Sequence, residues 1–254
     1  MANILKRLFA RIINDIFPEN LTCIACSAEM DHDDKYCLCD MCKNKLEFID
    51  GKECELCGAK VFADTRICTD CMANSRNIER NYSPLVYSGD VKRIVHAYKY
   101  LGAKYLSKPL GNILYDKYFK IRDEVDADII IPVPLNKNRE RERGFNQATL
   151  MLKQFEKDKD KIDDNVLIRI KDTPQQMSLP KDKRRENVEG AFSVVDESSV
   201  KGANVLLVDD IYTTGATMDE CARVLYNAGA NSVRALTLCN AHIERATEDE
   251  EFDI

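Results

Sequence analysis

Hydrophobic positions along the chain change period twice. Over residues 4–17 (ILKRLFARIINDIF) apolar side chains fall at 4, 5, 8, 9, 12, 13, 16 and 17, which predicts an amphipathic helix ended by Pro18. Lys6, Arg7 and Arg11 interrupt the run, so it does not read as a secretory leader. Docking on the rest of the protein or on a partner is its expected use, with a membrane surface as the alternative. Residues 20–75 show no sustained period. From residue 83 onward, short apolar runs alternate with amphipathic stretches. Strands are expected at 85–88, 128–134, 166–170, 191–195, 204–209 and 232–238, and helices from 91 onward, at 105–122, 145–155 and 216–228. Strands alternating with helices predict an α/β fold with a parallel, doubly wound sheet. The pattern divides the chain into an N-terminal helix (1–18), a small module (20–75), a main domain (83–243) and a tail (244–254).

Charge narrows the functional classes. The 254 residues carry 37 basic and 43 acidic side chains, a net −6, with 44% hydrophobic and 31% charged residues. That balance suits a folded chain, and its sign argues against an extensive nucleic-acid-coating surface. The tail ERATEDEEFDI holds six acids and one Arg and is expected to be disordered; 156–164 (EKDKDKIDD) reads as a solvated surface. No stretch approaches roughly 18 uncharged apolar residues, so no membrane span is expected, and a cytoplasmic location follows as an expectation.

Eleven cysteines are the compositional outlier, and nine of them lie between 23 and 71. Eight form Cys-x-x-Cys pairs, Cys23/Cys26, Cys39/Cys42, Cys54/Cys57 and Cys68/Cys71, separated by 12, 11 and 10 residues. A Cys-x-x-Cys turn can aim two thiolates at one ion, and two turns complete a tetrahedron around zinc. Four pairs outnumber the needs of one redox centre, and two-residue spacing suits chelation better than a disulfide framework. Two closed structural zinc sites are therefore expected, and metal binding would supply the folding energy that some fifty residues cannot gain from a core alone. Whether neighbouring or alternate pairs share a zinc, and whether Cys37 replaces Cys39, stay open. Cys221 and Cys239 read as core residues.

The sharpest chemistry lies in 205–217, VLLVDDIYTTGAT. An apolar strand ends in Asp209 and Asp210, followed by a hydroxyl-rich loop and a helix start. Ligands of open α/β sheets bind beyond the carboxyl ends of strands, and amides at a helix start favour phosphate. Thr213, Thr214, Gly215, Ala216 and Thr217 are the candidate phosphate cradle. The two carboxylates could accept hydrogen bonds from a sugar's vicinal hydroxyls or hold Mg²⁺. Together they describe a ribose 5-phosphate site. An ordinary helix cap would explain one Thr and one Asp, and a P-loop would need a Gly-Lys-Ser/Thr ending that is missing.

These residues resemble the phosphoribosyl-pyrophosphate (PRPP) motif of type I phosphoribosyltransferases. The stretches 87–102 (YSGDVKRIVHAYKYLG), 131–147 (IPVPLNKNRERERGFNQ), 173–179 (TPQQMSL) and 184–192 (RRENVEGAF), behind four cysteine pairs, are similar to the ComF family of competence-related proteins. The resemblance runs from about residue 4 to 240 and departs from the family at Ser178, often Gly there, and at the extra thiol Cys37. It implies a type I phosphoribosyltransferase-like parallel sheet flanked by helices, preceded by a double zinc ribbon. It also implies PRPP and Mg²⁺ as ligands, with pyrophosphate held by Pro132, Val133, Pro134, Arg139, Arg143, Lys99 and Arg184. The residues agree in part: Lys137, Arg139, Arg141 and Arg143 form a basic segment in an acidic protein, and arginine grips phosphate oxygens in pairs. The same segment also reads as a solvated helix start balanced by Glu140 and Glu142, and Lys99 as a surface lysine. Lys181, Lys183, Arg184 and Arg185 form a second basic patch, in a polar loop, 171–190, suited to a lid.

The family chemistry is displacement of pyrophosphate from C1 of PRPP, with Asp209 and Asp210 near the ribose as the catalytic pair. No N-terminal cysteine nucleophile follows Met1, so glutamine hydrolysis is not expected. A second reading stays open, a binding module of DNA uptake that uses the fold without turnover, with single-stranded DNA or uptake proteins as partners. Aromatic residues are sparse, 7% with no Trp, which weakens direct strand binding.

Overall fold

A computed structural model of the chain describes residues 22–31, 33–61, 65–173 and 183–242. The N-terminal helix at 4–17, the tail, and the loop residues 174–182 with Ser178 and Lys181 lie outside the described residues. Two nine-residue strands, β6 (Asn204–Tyr212) and β7 (Ser232–Asn240), form the centre of a parallel sheet. Both are apolar almost throughout, as strands covered on both faces must be. β3 (Ile129–Pro132) pairs with β6, from Ile129 opposite Val205 to Pro132 opposite Val208. On the far side of β7 lie β1 (Asn81–Tyr82) and β2 (Leu85–Val86), interrupted at Pro84, which has no N–H for the ladder. The order is β1/β2, β7, β6, β3.

Side chains of the central strands alternate between two cores, the period of two expected of a strand. Leu206, Val208, Leu236 and Leu238 face a core with α3 (Gly89–Tyr100), α4 (Ser107–Val125) and α6 (Gln147–Leu152). Val205, Leu207, Val233 and Ala235 face the other, with α8 (Ala216–Asn227). Cys221 and Cys239 are fully buried in these two cores. Among the described residues no helix is long and apolar enough to cross a membrane.

Two expectations are corrected. The apolar runs at 166–170 and 191–195 do not join the parallel sheet; β4 (Leu167–Arg169) and β5 (Phe192–Val194) pair antiparallel as a separate two-stranded ribbon. Apolar content marks a strand but carries no direction, and the two runs pair with each other across the connection between them. The strand expected at 204–209 continues to Tyr212, because Ile211 and Tyr212 still pair with Cys239 and Asn240. Asp210 therefore lies within the strand beside Asp209, and the loop begins three residues later than expected.

The cysteine module is an internal repeat. Each half opens with a turn whose first cysteine amide bonds a carbonyl five residues on (Cys23 to Ala28, Cys54 to Ala59, both 2.8 Å). Each half closes with a short helix that starts directly after the third cysteine of its set, α1 (Asp40–Lys45) after Cys39 and α2 (Thr69–Ala73) after Cys68. Gly58 has φ +68, and a Cβ there would lie 2.4 Å from the Asn81 carbonyl oxygen, so glycine lets the second turn press against β1. The module covers the β1/β2 edge: Asn81 N–H donates to Leu56, Val86 N–H to Glu47 and Ile49 N–H to the Pro84 carbonyl. It thus hides ladder groups that an open edge would expose. Its halves also divide between the cores. Cys23, Leu38, Cys42 and Leu46 pack in the α3/α4 core, and Cys54, Cys57, Cys68 and Cys71 in the α8 core.

Candidate functional site

A cleft opens at the carboxyl ends of β3 and β6, where the loop after β3, α5 (Lys137–Arg143), the end of α3 and the start of α8 converge. It is lined by Asp209, Asp210, Ile211, Thr213 and Thr217 from the β6–α8 segment and by Val133, Pro134 and Leu135 after β3. Four cations complete it, Lys99 on α3, Arg139 and Arg143 on α5, and Arg169 on β4, with Tyr100 beside Lys99.

Local sequence explains the convergence. The Asn136 side chain accepts from Asn138 N–H (2.8 Å) and starts α5, and Gly144, at φ +76, ends it one residue after Arg143. Asn146 then caps α6 through the amides of Ala148 and Thr149 while its amide group donates to the Val133 carbonyl (3.0 Å). Two asparagine caps thus fix the basic helix against the loop that follows β3.

The acids are held unequally. Asp210 is buried and pairs with Lys99 at 2.7 Å, their side chains 8% and 13% exposed. Burial works against the Lys99 charge, but Asp210 and Asp209 outweigh it and raise its pKa above the ordinary lysine value. Asp209 is half-buried, accepts from the Asp210 backbone N–H (2.8 Å), and is pushed up to about 7 by burial and by the like charge of Asp210.

The cations are crowded in turn. Arg139 donates to the Thr173 carbonyl and Arg169 to the Thr173 hydroxyl, so one residue gathers two guanidiniums. Burial, and then Arg139, draw Arg169 below the ordinary arginine pKa, and its buried Nε has no hydrogen-bond partner. Half-buried like charges brought together without a full set of acceptors are costly, and an anion in the cleft would relieve that cost. Arg143 donates to Gln147 (3.0 Å) and lies 5.1 Å over the Tyr100 ring.

The candidate phosphate segment divides. Thr213 and Thr217 face the cleft. Thr214 is buried; its hydroxyl accepts weakly from Ala216 N–H (3.5 Å), and its carbonyl accepts from Arg76 (2.5 Å). Gly215 precedes α8 at φ +78, where a Cβ would lie 2.3 Å from the Tyr212 hydroxyl, and Ala216 is buried. Pro132 lies within β3, and Arg184 sits half-buried on α7 (Lys183–Val188), outside the cleft lining. Arg169 and Tyr100 enter the cleft without having been marked as candidates. The signal for Arg169 was a lone charge inside the apolar run Val166–Ile170.

The eight paired cysteines gather as Cys23, Cys26, Cys39 and Cys42, and as Cys54, Cys57, Cys68 and Cys71, with all sulfurs of a set within 4.8 Å of one another. Neighbouring pairs therefore share a site, and Cys37 belongs to neither set. Zinc–sulfur bonds of about 2.3 Å place tetrahedral sulfurs about 3.8 Å apart. Cys26 and Cys39 Sγ are 3.8 Å apart and Cys57 and Cys68 Sγ 3.7 Å, so both sets fit zinc as closed four-sulfur sites. Cys37 is buried at φ +51, and burial pushes its thiol up to about 11.

Comparison with known proteins accords with this architecture. Residues 12–72 match the double zinc ribbon domain, and residues 143–253 match the phosphoribosyl transferase domain. The chain is 27% identical over 230 residues to competence protein F of Haemophilus influenzae, across 87% of this chain and 98% of that protein. It is 29% identical over 208 residues to competence protein ComFC of Bacillus subtilis, across 79% and 83%. It is 28% identical over 190 residues to the DNA utilization protein YhgH of Salmonella typhimurium, across 73% and 83%. With a cysteine-tetrad double ribbon seated on the edge of a type I phosphoribosyltransferase sheet, the chain is a homologue of these ComF-type competence and DNA utilization proteins, similar to them along most of its length.

Proposed function

We propose that this protein binds Mg²⁺–PRPP in the β3/β6 cleft and acts as a phosphoribosyltransferase-like component of DNA uptake. The observation that carries the reading is the pairing, in one cleft, of two adjacent carboxylates with Lys99, Arg139, Arg143 and Arg169. A ribose hydroxyl pair calls for acceptors and a pyrophosphate calls for cations, and the cleft offers both at the strand ends where α/β sheets bind ligands. Thr213 and Thr217, at the start of α8, are suited to the 5-phosphate.

If the ligand turns over, the C1–O bond to pyrophosphate breaks as an acceptor's bond to C1 forms. Positive charge then grows on the ribose and negative charge on the leaving group. Asp209 and Asp210 stabilise the first, and Arg139, Arg143 and Arg169 the second, by fixed charges that need no covalent nucleophile. Mg²⁺, held through the same carboxylates, would add positive charge beside the pyrophosphate oxygens. The competence and DNA utilization names of the relatives support a role in handling incoming DNA.

Calorimetric titration with Mg²⁺–PRPP tests binding. Pyrophosphate release measured across nucleobases, ammonia and sugar-like acceptors tests turnover, with Asp209→Ala/Asp210→Ala as control. Saturable binding lost in the control supports the site, and acceptor-dependent release supports an enzyme. Binding without release supports a non-catalytic module, and no binding rejects the reading.

A further inference from the structure

One buried arginine joins the second cysteine tetrad to the candidate phosphate loop. Arg76 lies in the linker between α2 and β1, and its side chain is 5% exposed. One arm of its guanidinium donates to Asp70, at 2.6 Å, on the helix that carries Cys71. The other donates to the Thr214 carbonyl at 2.5 Å, and Asp219 on α8 approaches to 3.7 Å. Asp219 is occupied in turn: it accepts from Asn77 N–H (3.0 Å) and from Arg185 (3.2 Å). The Tyr212 ring fills the remaining space under Gly215, in the same core as the four cysteines.

We infer that Arg76 is a positioning residue: it holds the Thr214–Gly215 peptide from below and so lets the second zinc ribbon set the shape of the 213–217 loop. The physical reason lies in the Thr214 carbonyl. It points inward and needs a buried donor, and Arg76 meets that need while Gly215, in the left-handed region, turns the chain so that the first amides of α8 lead out of the loop. A guanidinium can bridge because its fork is rigid and its charge permanent, and Asp70 fixes that fork to the metal module. Among the described residues the first tetrad has no equivalent link: it packs in the other core against α3 and α4, and Arg93 of α3 donates to the Ala25 carbonyl beside it. The ribbon is thereby a support for the loop as well as a cover for the sheet edge.

The consequence for ligand affinity rests on the PRPP reading, but the consequence for the loop does not, and the test separates them. Arg76→Met keeps the volume and removes both hydrogen bonds. Zinc content, hydrogen exchange of the peptide spanning 213–219, and Mg²⁺–PRPP affinity by calorimetry are measured on the full chain. The expected result is two zincs per chain, faster exchange at 213–219 and unchanged exchange in α4. Where the wild type binds, Kd rises about 10- to 100-fold, the size of one charged hydrogen bond. Arg76→Lys, which keeps one arm, recovers part of both effects. If Arg76→Met does not fold, Asp70→Ala is read instead; it removes the acceptor that ties the guanidinium to the ribbon while Thr214 keeps its donor, and a smaller rise in exchange is expected. Unchanged exchange at 213–219 in the folded variant overturns the inference whether or not PRPP binds. Absence of PRPP binding in the wild type, with faster loop exchange in the variant, rejects the ligand and leaves the strut standing.

Discussion

Replacing Asp209 by Asn should stabilise the protein above neutral pH while abolishing ligand binding. The perturbation is nearly isosteric, since Asn Oδ1 can still accept from the Asp210 backbone N–H now bonded at 2.8 Å. What disappears is a half-buried negative charge beside a second one. Asp209 titrates at about 7 against an ordinary 3.8. A carboxyl with a raised folded-state pKa binds its proton more tightly when folded. Its contribution to stability is fully present below about 4 and is lost as pH rises through about 7. Solvent screens part of this half-buried charge, so only about half of the rise is credited to stability, roughly 2 kcal/mol of charge cost at pH 8. For a chain of this size, about 2–4 °C per kcal/mol gives a rise in Tm of roughly 4–8 °C. Thermal melts of the zinc-loaded protein at pH 8 and pH 5, without Mg²⁺ or PRPP, read this directly. The gain should be largest at pH 8, smaller at pH 5, and vanish only below about 4, where the carboxyl is protonated in the unfolded chain as well. A lower Tm for Asp209→Asn at pH 8, or an equal change at both pH values, would refute the reasoning.

Other tests follow from single contacts. Arg169→Met removes one of two guanidiniums gathered at Thr173, so Mg²⁺–PRPP affinity by calorimetry should fall at least about 10-fold while Tm is unchanged or higher. Gly215→Ala forces a left-handed conformation and a Cβ against the Tyr212 hydroxyl; denaturant titration should show a loss of about 2–4 kcal/mol. Tyr212→Phe in the same chain should recover part of that loss, because the deleted hydroxyl has no hydrogen-bond partner. Cys37→Ser should keep two zincs per chain by colorimetric release, whereas Cys39→Ser should lose one, because only Cys39 belongs to a tetrad. Stripping both zincs with a chelator should cost the ribbons their structure and with them the cover on β1 and β2, read as a lower Tm and faster exchange at 81–86.

What was legible in the sequence was whatever repeats at short range. The Cys-x-x-Cys spacing announces chelation because both ligands sit on one turn, and the acids, threonines and glycine of 209–217 lie within nine residues of one another. Sharing of zinc by neighbouring pairs became visible only in space, because either pairing can close four sulfurs. Arg169 escaped notice because one charge in an apolar run reads as the exposed side of an edge strand, whereas β5 turns it toward Thr173 and the cleft. Arg76 escaped for another reason: a linker arginine carries no pattern, and its partners stand 6 and 138 residues away. The antiparallel pairing of β4 with β5 was hidden because strand composition has no direction.

The cleft places two acids and four cations at the end of a sheet whose strands are otherwise apolar, and their mutual neutralisation is incomplete. Lys99 satisfies Asp210, but Asp209 is left with a raised pKa and Arg169 with a lowered one. On the proposed reading, a ligand carrying both hydroxyls and phosphates would complete the neutralisation, because hydroxyls suit the acids and phosphates suit the arginines. Such a preorganised site costs stability while empty, so the cost has to be met by structure that does not touch ligand. The cysteine module is placed to do this, with one tetrad packed in each core, the sheet edge covered between them, and the second tetrad's helix tied through Arg76 to the loop that has most to lose from disorder. On this argument, loss of the second zinc should loosen the 213–217 loop more than loss of the first, although both cost folding energy of the same kind. Hydrogen exchange at 213–219 in Cys68→Ser against Cys39→Ser distinguishes a support specific to the loop from one that only raises global stability, since the latter would affect both variants alike.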